Sequence, residues 1–383
     1  MTVLYIVGIL ALLQGIVSFI DGMRSTRHIR RFRPRLNGTP RVVVFCPCRG
    51  VDPDFAANMR SIVEQDYPSF TTIFVTDSAD DPSYTALKEM KFEPLVAGAA
   101  RDCGQKVHNL LFALDRAPED AEVFVFCDSD ARYPRHWLRN LVAGLEGGNV
   151  AVSTGFRWYV AESGSIPSLL RSAWNASVIT MMGAHDRNFA WGGSMALKRE
   201  VFERIRVRDF WSGTVSDDYG VSRAAWAAGM RIEFVPTCLV PSHGDCDWRS
   251  LLEFTTRQVL ITRVCAPGPW RTGFVTQTIF NLAFWGLFAA MWTRPAAAAL
   301  WAGIAGLAAA KSAIRLGAVA TTLPEGALSK HRWSYILFAP FVALLYEYNM
   351  IRSALTRHMV WRQIHYTLLS PNRTVVRGGA GES

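Results

Sequence analysis

Charge is scarce in this chain. Only 19% of its 383 residues are Asp, Glu, Lys or Arg, while 50% are hydrophobic, a balance richer in apolar residues than soluble proteins usually show. The seven cysteines, at 46, 48, 103, 127, 238, 246 and 265, are odd in number and include no C-x-x-C pair. Cys46-Pro47-Cys48 is too close for the usual zinc spacing, so a disulfide framework and a zinc site are both set aside in favour of reduced thiols. "PCRGVDP", Pro47 to Pro53, contains no Walker-type glycine loop, which disfavours an ATPase. Basic residues interleaved with aromatics are missing from the central region, so no nucleic-acid partner is expected. Internal repeats and low-complexity linkers are absent, and the length suits one large or two medium domains.

Long apolar runs, by contrast, are present. Val3 to Ile20 carries no charge and is long enough to cross a bilayer as a helix. It lacks a basic leader and a small-residue cleavage site, which argues for an uncleaved anchor over residues 1–22. Arg24, Arg27, Arg30, Arg31, Arg33 and Arg35 follow with no acid among them. This juxtamembrane segment, 23–40, is predicted to be cytosolic together with what comes after it. A second basic group, Arg352, Arg357, Arg362, Arg373 and Arg377, closes the chain, and the net charge of +9 is read as a membrane-flank feature. Between them, residues 249–272 read as an amphipathic segment on the bilayer surface, with Arg257 and Arg263 directed to phosphates or headgroups. Residues 273–352 hold three apolar stretches. Phe274 to Trp292 and Trp333 to Tyr348 read as spans, and Ala296 to Ala310, running into Lys311 and Arg315, as a short, tilted or partly buried one. A cytosolic basic tail, 353–383, requires an even number of C-terminal crossings.

From Arg41 to Trp248 short apolar strands alternate with helices, which predicts an α/β sheet covered on both faces. The strand in "TTIFVTDSADDP" ends in Asp77, Asp80 and Asp81, and the strand "EVFVFC" ends in Asp128 and Asp130. Ligands of such sheets bind outside the carboxyl ends of the strands. Asp128-Ser129-Asp130 is open to two readings, a solvated turn or a seat for a hard divalent cation, Mg2+ or Mn2+. A third acidic pair stands in "GTVSDDYG". Ser216 is a candidate N-cap with Asp217 and Asp218 in the first helical turn, where the dipole alone would favour them. His243 and Asp245 read as a polar turn, and Trp191 suits either sugar stacking or the core.

Taken in order, "GVDPDF", "QDYP", "DSADDP", "GQKVHNL", "CDSD", "WGGSMALKREVF" and "SDDYG", followed by an Arg/Gln-bearing segment and membrane spans, resemble the GT-A glycosyltransferases of family 2 type. The ceramide glucosyltransferase branch is the nearest, and "VWRQIHYTLLSPNRTVV" resembles its closing segment. The resemblance implies a GT-A fold, Rossmann-like with a mixed, mostly parallel sheet. It implies that Asp77, Asp81 and Lys106 help hold the nucleotide, that Asp128 and Asp130 bind Mg2+ or Mn2+, and that Trp191, Gly192 and Gly193 lie beside the acceptor. Asp218, next to Asp217, would be the catalytic base. The family's Q/R-x-x-R-W motif is not matched: Ile261 and Thr262 stand where its Arg and Trp would be if Gln258 opened it. Arg263, or else Arg257, is the expected substitute on the phosphates, with snorkelling to lipid headgroups as the ordinary alternative. The implied activity is inverting transfer of glucose or an N-acetylglucosamine-like sugar from a UDP-sugar to a ceramide-like or hopanoid-like lipid at a bacterial inner membrane. Two alternatives remain, a processive polysaccharide synthase and a non-catalytic nucleotide-sugar-binding scaffold.

Overall fold

Along the first strand Val42, Val44 and Cys46 are buried with one set of partners, and Val43 and Phe45 with another. That period-two split means both faces of a sheet are covered, as parallel sheets require. The computed structural model describes residues 1–324, 327–328 and 331–377. They divide into two units, each contributed by several stretches of chain.

The first unit comprises residues 32–158, 184–242 and 357–383. Its main sheet has strands β1 (Val42–Pro47), β2 (Phe70–Thr76), β3 (Leu95–Val96), β4 (Val123–Cys127), β5 (Val150–Val160), β6 (Ser194–Lys198) and β7 (Arg231–His243), in the order β3-β2-β1-β4-β6-β5-β7. The four strands β3, β2, β1 and β4 are parallel, and β6 runs antiparallel to both β4 and β5. The expected mixed, mostly parallel α/β sheet is therefore present. Helix Phe55–Val63 covers one face through Phe55, Met59 and Ile62, at helical spacing. Helix Gln105–Leu114 covers the other through Val107, Leu110 and Leu114.

Below this second helix layer Phe45, Phe124, Phe126, Phe202 and Trp211 form a chain of ring contacts with centroids 5.3–6.2 Å apart. Trp211 is fully buried, and its indole Nε1 donates to the Asp217 carbonyl at 2.9 Å. It thereby ties the core to the turn bearing the third acidic pair. Trp211→Ala is expected to destabilise this unit by about 3–5 kcal/mol, since it leaves a large cavity and an orphaned carbonyl; thermal unfolding of the purified protein measures it.

The tail read as a basic membrane flank is folded. Strands β8 (His358–Trp361), β9 (Ile364–Ser370) and β10 (Arg373–Arg377) make an antiparallel sheet in the order β10-β9-β8. Its residues Ile364, Tyr366, Leu368 and Thr374 are buried, and Asn372 Oδ1 accepts from Arg223 Nη1 at 2.6 Å. Arg362, Arg373 and Arg377 thus belong to the unit that holds the main sheet. Residues 378–383, also in that predicted tail, lie outside the described residues.

The second unit comprises residues 1–31, 159–183 and 243–356. Three of its helices, Thr2–Arg31, Pro267–Ala290 and Pro295–Val319, are long and apolar enough to cross a membrane. Gly8, Gly15 and Gly22 recur every seven residues along the first and face Leu300, Leu307 and Lys311 of the third, so the two backbones approach closely where side chains are missing. The middle C-terminal stretch, read as short, tilted or partly buried, is a 25-residue helix of membrane-spanning length. The last one, read as a span, is interrupted at Phe338 and continues as a 17-residue helix, Ala339–Leu355. Its Pro340 has no amide hydrogen to extend the preceding turn. Helix Trp248–Cys265 carries Arg257, Gln258 and Arg263.

Candidate active site

The sheet register decides which residues meet. Pro47 of β1 pairs with Val75, and Phe45 with Phe126, so Asp77 and Asp128 leave the sheet along the same edge. Cys127 pairs with Ser194 of the antiparallel β6, which brings Trp191, Gly192 and Gly193 to that edge from the other direction. Strand β5 pairs Thr154 with Met195 and then delivers Arg157.

Lys106 is the centre of the cluster. Its Nζ lies 2.7 Å from Asp128 Oδ1, 2.9 Å from Asp217 Oδ2 and 3.3 Å from the Gly192 carbonyl oxygen. Burial alone would favour the neutral amine, but Asp128 and Asp217 outweigh it and hold the proton firmly. Gln105 fixes the segment before it: Oε1 accepts from Ala100 N at 2.9 Å, and Nε2 donates to Gly98 O and Asn109 Oδ1, each at 2.8 Å.

Arg157 grips both acids of the D-x-D turn. Its guanidinium donates to Asp130 Oδ1 at 2.6 Å and Oδ2 at 2.9 Å, and to Asp128 Oδ2 at 2.8 Å. It also sits 5.2 Å from the centre of the Trp191 ring. Burial would raise the Asp130 carboxyl, yet Arg157 overrides it and keeps the group below the ordinary carboxylate range. Tyr133 locks the turn, its hydroxyl accepting from Asp128 N and donating to Gly193 O, both at 2.8 Å.

Asp217 and Asp218 open helix Asp217–Ala227 with Ser216 as N-cap, as the sequence predicts. Asp217 is buried, and that burial, reinforced by Asp218 and Asp128 and opposed by Lys106, pushes its carboxyl up to about 6. Its Oδ2 is close to Lys106 but has no hydrogen-bond partner of good geometry. Asp218 is half-buried, and its Oδ1 accepts from the Ser216 hydroxyl and, at 2.7 Å, from Tyr219 N.

The glycines beside Trp191 are there for space. A Cβ on Gly192 would come within 2.8 Å of Lys106 Nζ, and one on Gly193 within 2.6 Å of both Asp128 Oδ2 and the Trp191 ring. Gly193→Ala is expected to displace the Asp128 carboxylate and lower activity at least about tenfold, with a melting temperature within a few degrees of the parent; steady-state rates and a thermal melt check it.

Asp77 and Asp81 divide. Asp77 pairs with Arg49, while its Oδ1 is a buried acceptor with no hydrogen-bond partner. Asp81 Oδ1 accepts from Ser83 N at 2.9 Å, the Ser83 hydroxyl at 2.5 Å and Gly50 N at 2.8 Å. It caps helix Pro82–Glu89 and braces the "GVDP" loop.

A family model described as Glycosyl transferase family 21 matches residues 3–374. The chain belongs to that family. It is therefore an enzyme, a glycosyltransferase. Among solved structures, the mannosyltransferase PcManGT from Pyrobaculum calidifontis, in complex with GDP-Man and Mn2+, is similar with a TM-score of 0.56 and 19% identity, over 92% of this chain and 98% of that one. At that identity the likeness concerns the fold. A second structure, of a mycobacterial protein, matches with a TM-score of 0.43 and 15% identity over 61% of this chain and 84% of that one, too distant to carry an argument.

In this family-21 enzyme Arg263, the expected substitute for the missing motif, donates to the carbonyls of Ser353 and Thr356 at the end of helix Ala339–Leu355. That is the use of a cation at a helix C-terminus. Arg257 lies over the Phe254 ring, 5.6 Å from its centre. Sequence reasoning missed the three arginines that stand with the acids, Arg49, Arg157 and Arg362. Arg157 had a signal, a lone charge inside the apolar run "VAVSTGFRWYV". Arg49 had none, and Arg362 only its place in the closing segment, since their partners are set by the fold.

Proposed function

We propose that this membrane-associated glycosyltransferase moves a sugar, glucose or N-acetylglucosamine-like, from a UDP-sugar to the hydroxyl of a ceramide-like or hopanoid-like lipid, with inversion and on the cytosolic face. The observation that carries the proposal is Lys106 bridging Asp128 and Asp217, one turn position from Asp218, at the carboxyl edge of the sheet.

The donor set suits a divalent ion. Among the described residues no group of three or more His, Cys, Asp or Glu side chains could hold a metal, but Mg2+ commonly takes one or two carboxylates and completes its shell with substrate phosphates. Asp128 and Asp130 would supply those carboxylates, and among the described residues three acids, Asp217 included, share two ion-pair partners, Lys106 and Arg157. When bound, such an ion offsets the charge of the departing diphosphate. PcManGT, with its GDP-Man and Mn2+, is an instance of the same pairing of nucleotide sugar and ion.

The chain's own residues do the rest. Asp77 Oδ1, an orphaned buried acceptor, would receive a donor from the nucleoside. Lys106 and Arg157 add fixed positive charge beside the diphosphate. Asp218 accepts the proton of the lipid hydroxyl as its oxygen attacks C1 of the sugar. The bond from C1 to the diphosphate breaks, and the nucleoside diphosphate leaves with the electron pair. Three membrane-length helices would keep a lipid acceptor at hand, and the arginines after Ile20 favour a cytosolic donor site.

Mass spectrometry of lipid extracts from cells with and without the gene tests the reading. A glycolipid present only with the gene, and lost with Asp128→Asn, is expected. Identical lipid profiles, or a difference confined to polysaccharide, would overturn the lipid acceptor.

A further inference from the structure

The turn joining β8 to β9 has two residues, Arg362 and Gln363, with φ of +49° and +67°. Two-residue hairpins with both central residues left-handed normally use Asn-Gly, because side chains with a Cβ are strained there. Arg and Gln are therefore held against their own preference, and such strain persists only where surrounding contacts over-determine it. Those contacts all lead to the acidic cluster. Arg362 Nη2 reaches Asp52 Oδ2 of the "GVDP" loop at 2.5 Å. The Arg362 carbonyl oxygen accepts from Arg49 Nε at 3.1 Å, and Arg49 is the partner of Asp77. Buried Tyr366, three residues past the turn, has its hydroxyl 3.2 Å from Gln105 N, directly before Lys106. Arg362 also lies within electrostatic reach of Asp130 and Asp128, while its side chain keeps 40% of its surface open.

We propose that the β8–β9 hairpin is a built part of the donor site and that the Arg362 guanidinium binds the diphosphate of the nucleotide sugar. It would supply from the C-terminal sheet the cation that the missing Arg-Trp motif of helix Trp248–Cys265 does not. This rests on the donor reading given above. A guanidinium fork matches phosphate oxygens in pairs, and a partly open ion pair with Asp52 can be exchanged for an incoming phosphate at little cost. In this hairpin a strained turn, a charged tip and a link through Arg49 to Asp77 coincide.

The test is binding of UDP, GDP and the corresponding monophosphates, with Mn2+, to the full chain purified in detergent, read by calorimetry. The parent is expected to bind one diphosphate, and Arg362→Gln to weaken it about 10- to 100-fold, the loss of one charge-assisted contact, while the monophosphate changes less than about threefold. Arg362→Lys should fall between. Asp52→Asn separates ligation from bracing: it frees the guanidinium, so diphosphate affinity should be kept or raised. Arg362→Gln binding the diphosphate like the parent would overturn the proposal. So would Asp52→Asn and Arg362→Gln losing mono- and diphosphate alike, because that pattern means a brace. A parent that binds neither diphosphate would instead overturn the donor reading itself.

Discussion

Asp128→Asn is expected to lower sugar transfer by about two to three orders of magnitude, with the protein still folded. The size follows from what is lost, a preorganised charge at the point where a diphosphate departs. Folding should survive because both cations keep a second partner: Lys106 retains Asp217 at 2.9 Å, and Arg157 retains its paired bonds to Asp130. Removing Arg157 instead would leave the Asp130 carboxylate without its paired bonds while Asp128 kept only Lys106, a worse outcome for stability. Excess EDTA should bring the parent to the same low rate, with Mn2+ or Mg2+ restoring it. Initial rates of the parent, the chelated parent and the variant, with circular dichroism as the folding control, check the expectation. Full activity in EDTA would remove the metal from the account and leave the charge at that turn to the chain's own cations, Lys106 and Arg157 foremost.

The second large effect concerns the base. Asp218→Asn keeps the shape of the side chain and the bonds from Ser216 and Tyr219 N to its Oδ1, and it removes only the capacity to take a proton. A loss of about two to four orders of magnitude in turnover is expected, with nucleoside diphosphate affinity unchanged. Asp217→Asn should be milder. That carboxyl is buried against Lys106, so its role is to hold the lysine in place, and the cost should fall on donor binding. Turnover and nucleotide affinity measured for both variants separate the two. Asp217→Asn inactive beside an active Asp218→Asn would exchange their roles.

Most of the edge of the sheet could be read from the sequence because its signals are local. Apolar runs ending in Asp77 and Asp128, and Ser216 ahead of two acids, are statements about neighbours in the chain, and the strands and the cap stand where those runs place them. The cations were harder. Arg362 is remote in sequence from Asp52, and basic residues after an apolar helix look the same whether they meet headgroups or a folded partner. Arg263 shows the converse: a cation on an interfacial segment suggested phosphate, and its bonds run to helix-end carbonyls. The lengths of the C-terminal helices were harder to read than their composition. The Ala-rich stretch continues unbroken past Lys311 and Arg315 as one membrane-length helix, whereas Trp333 to Tyr348 is apolar but interrupted at Phe338.

The most direct test of the central claim, that the cluster around Lys106 transfers sugar to a lipid, is a partition assay. The full chain in detergent is given a UDP-sugar labelled in the sugar, Mn2+ and a total lipid extract, and label is counted after solvent extraction. Label is expected to enter the organic phase as a single glycosylated lipid, at a rate that falls by about two orders of magnitude with Asp128→Asn. Label that stays in the aqueous phase as polymer or free sugar, or that reaches lipid equally well with Asp128→Asn, would contradict the claim.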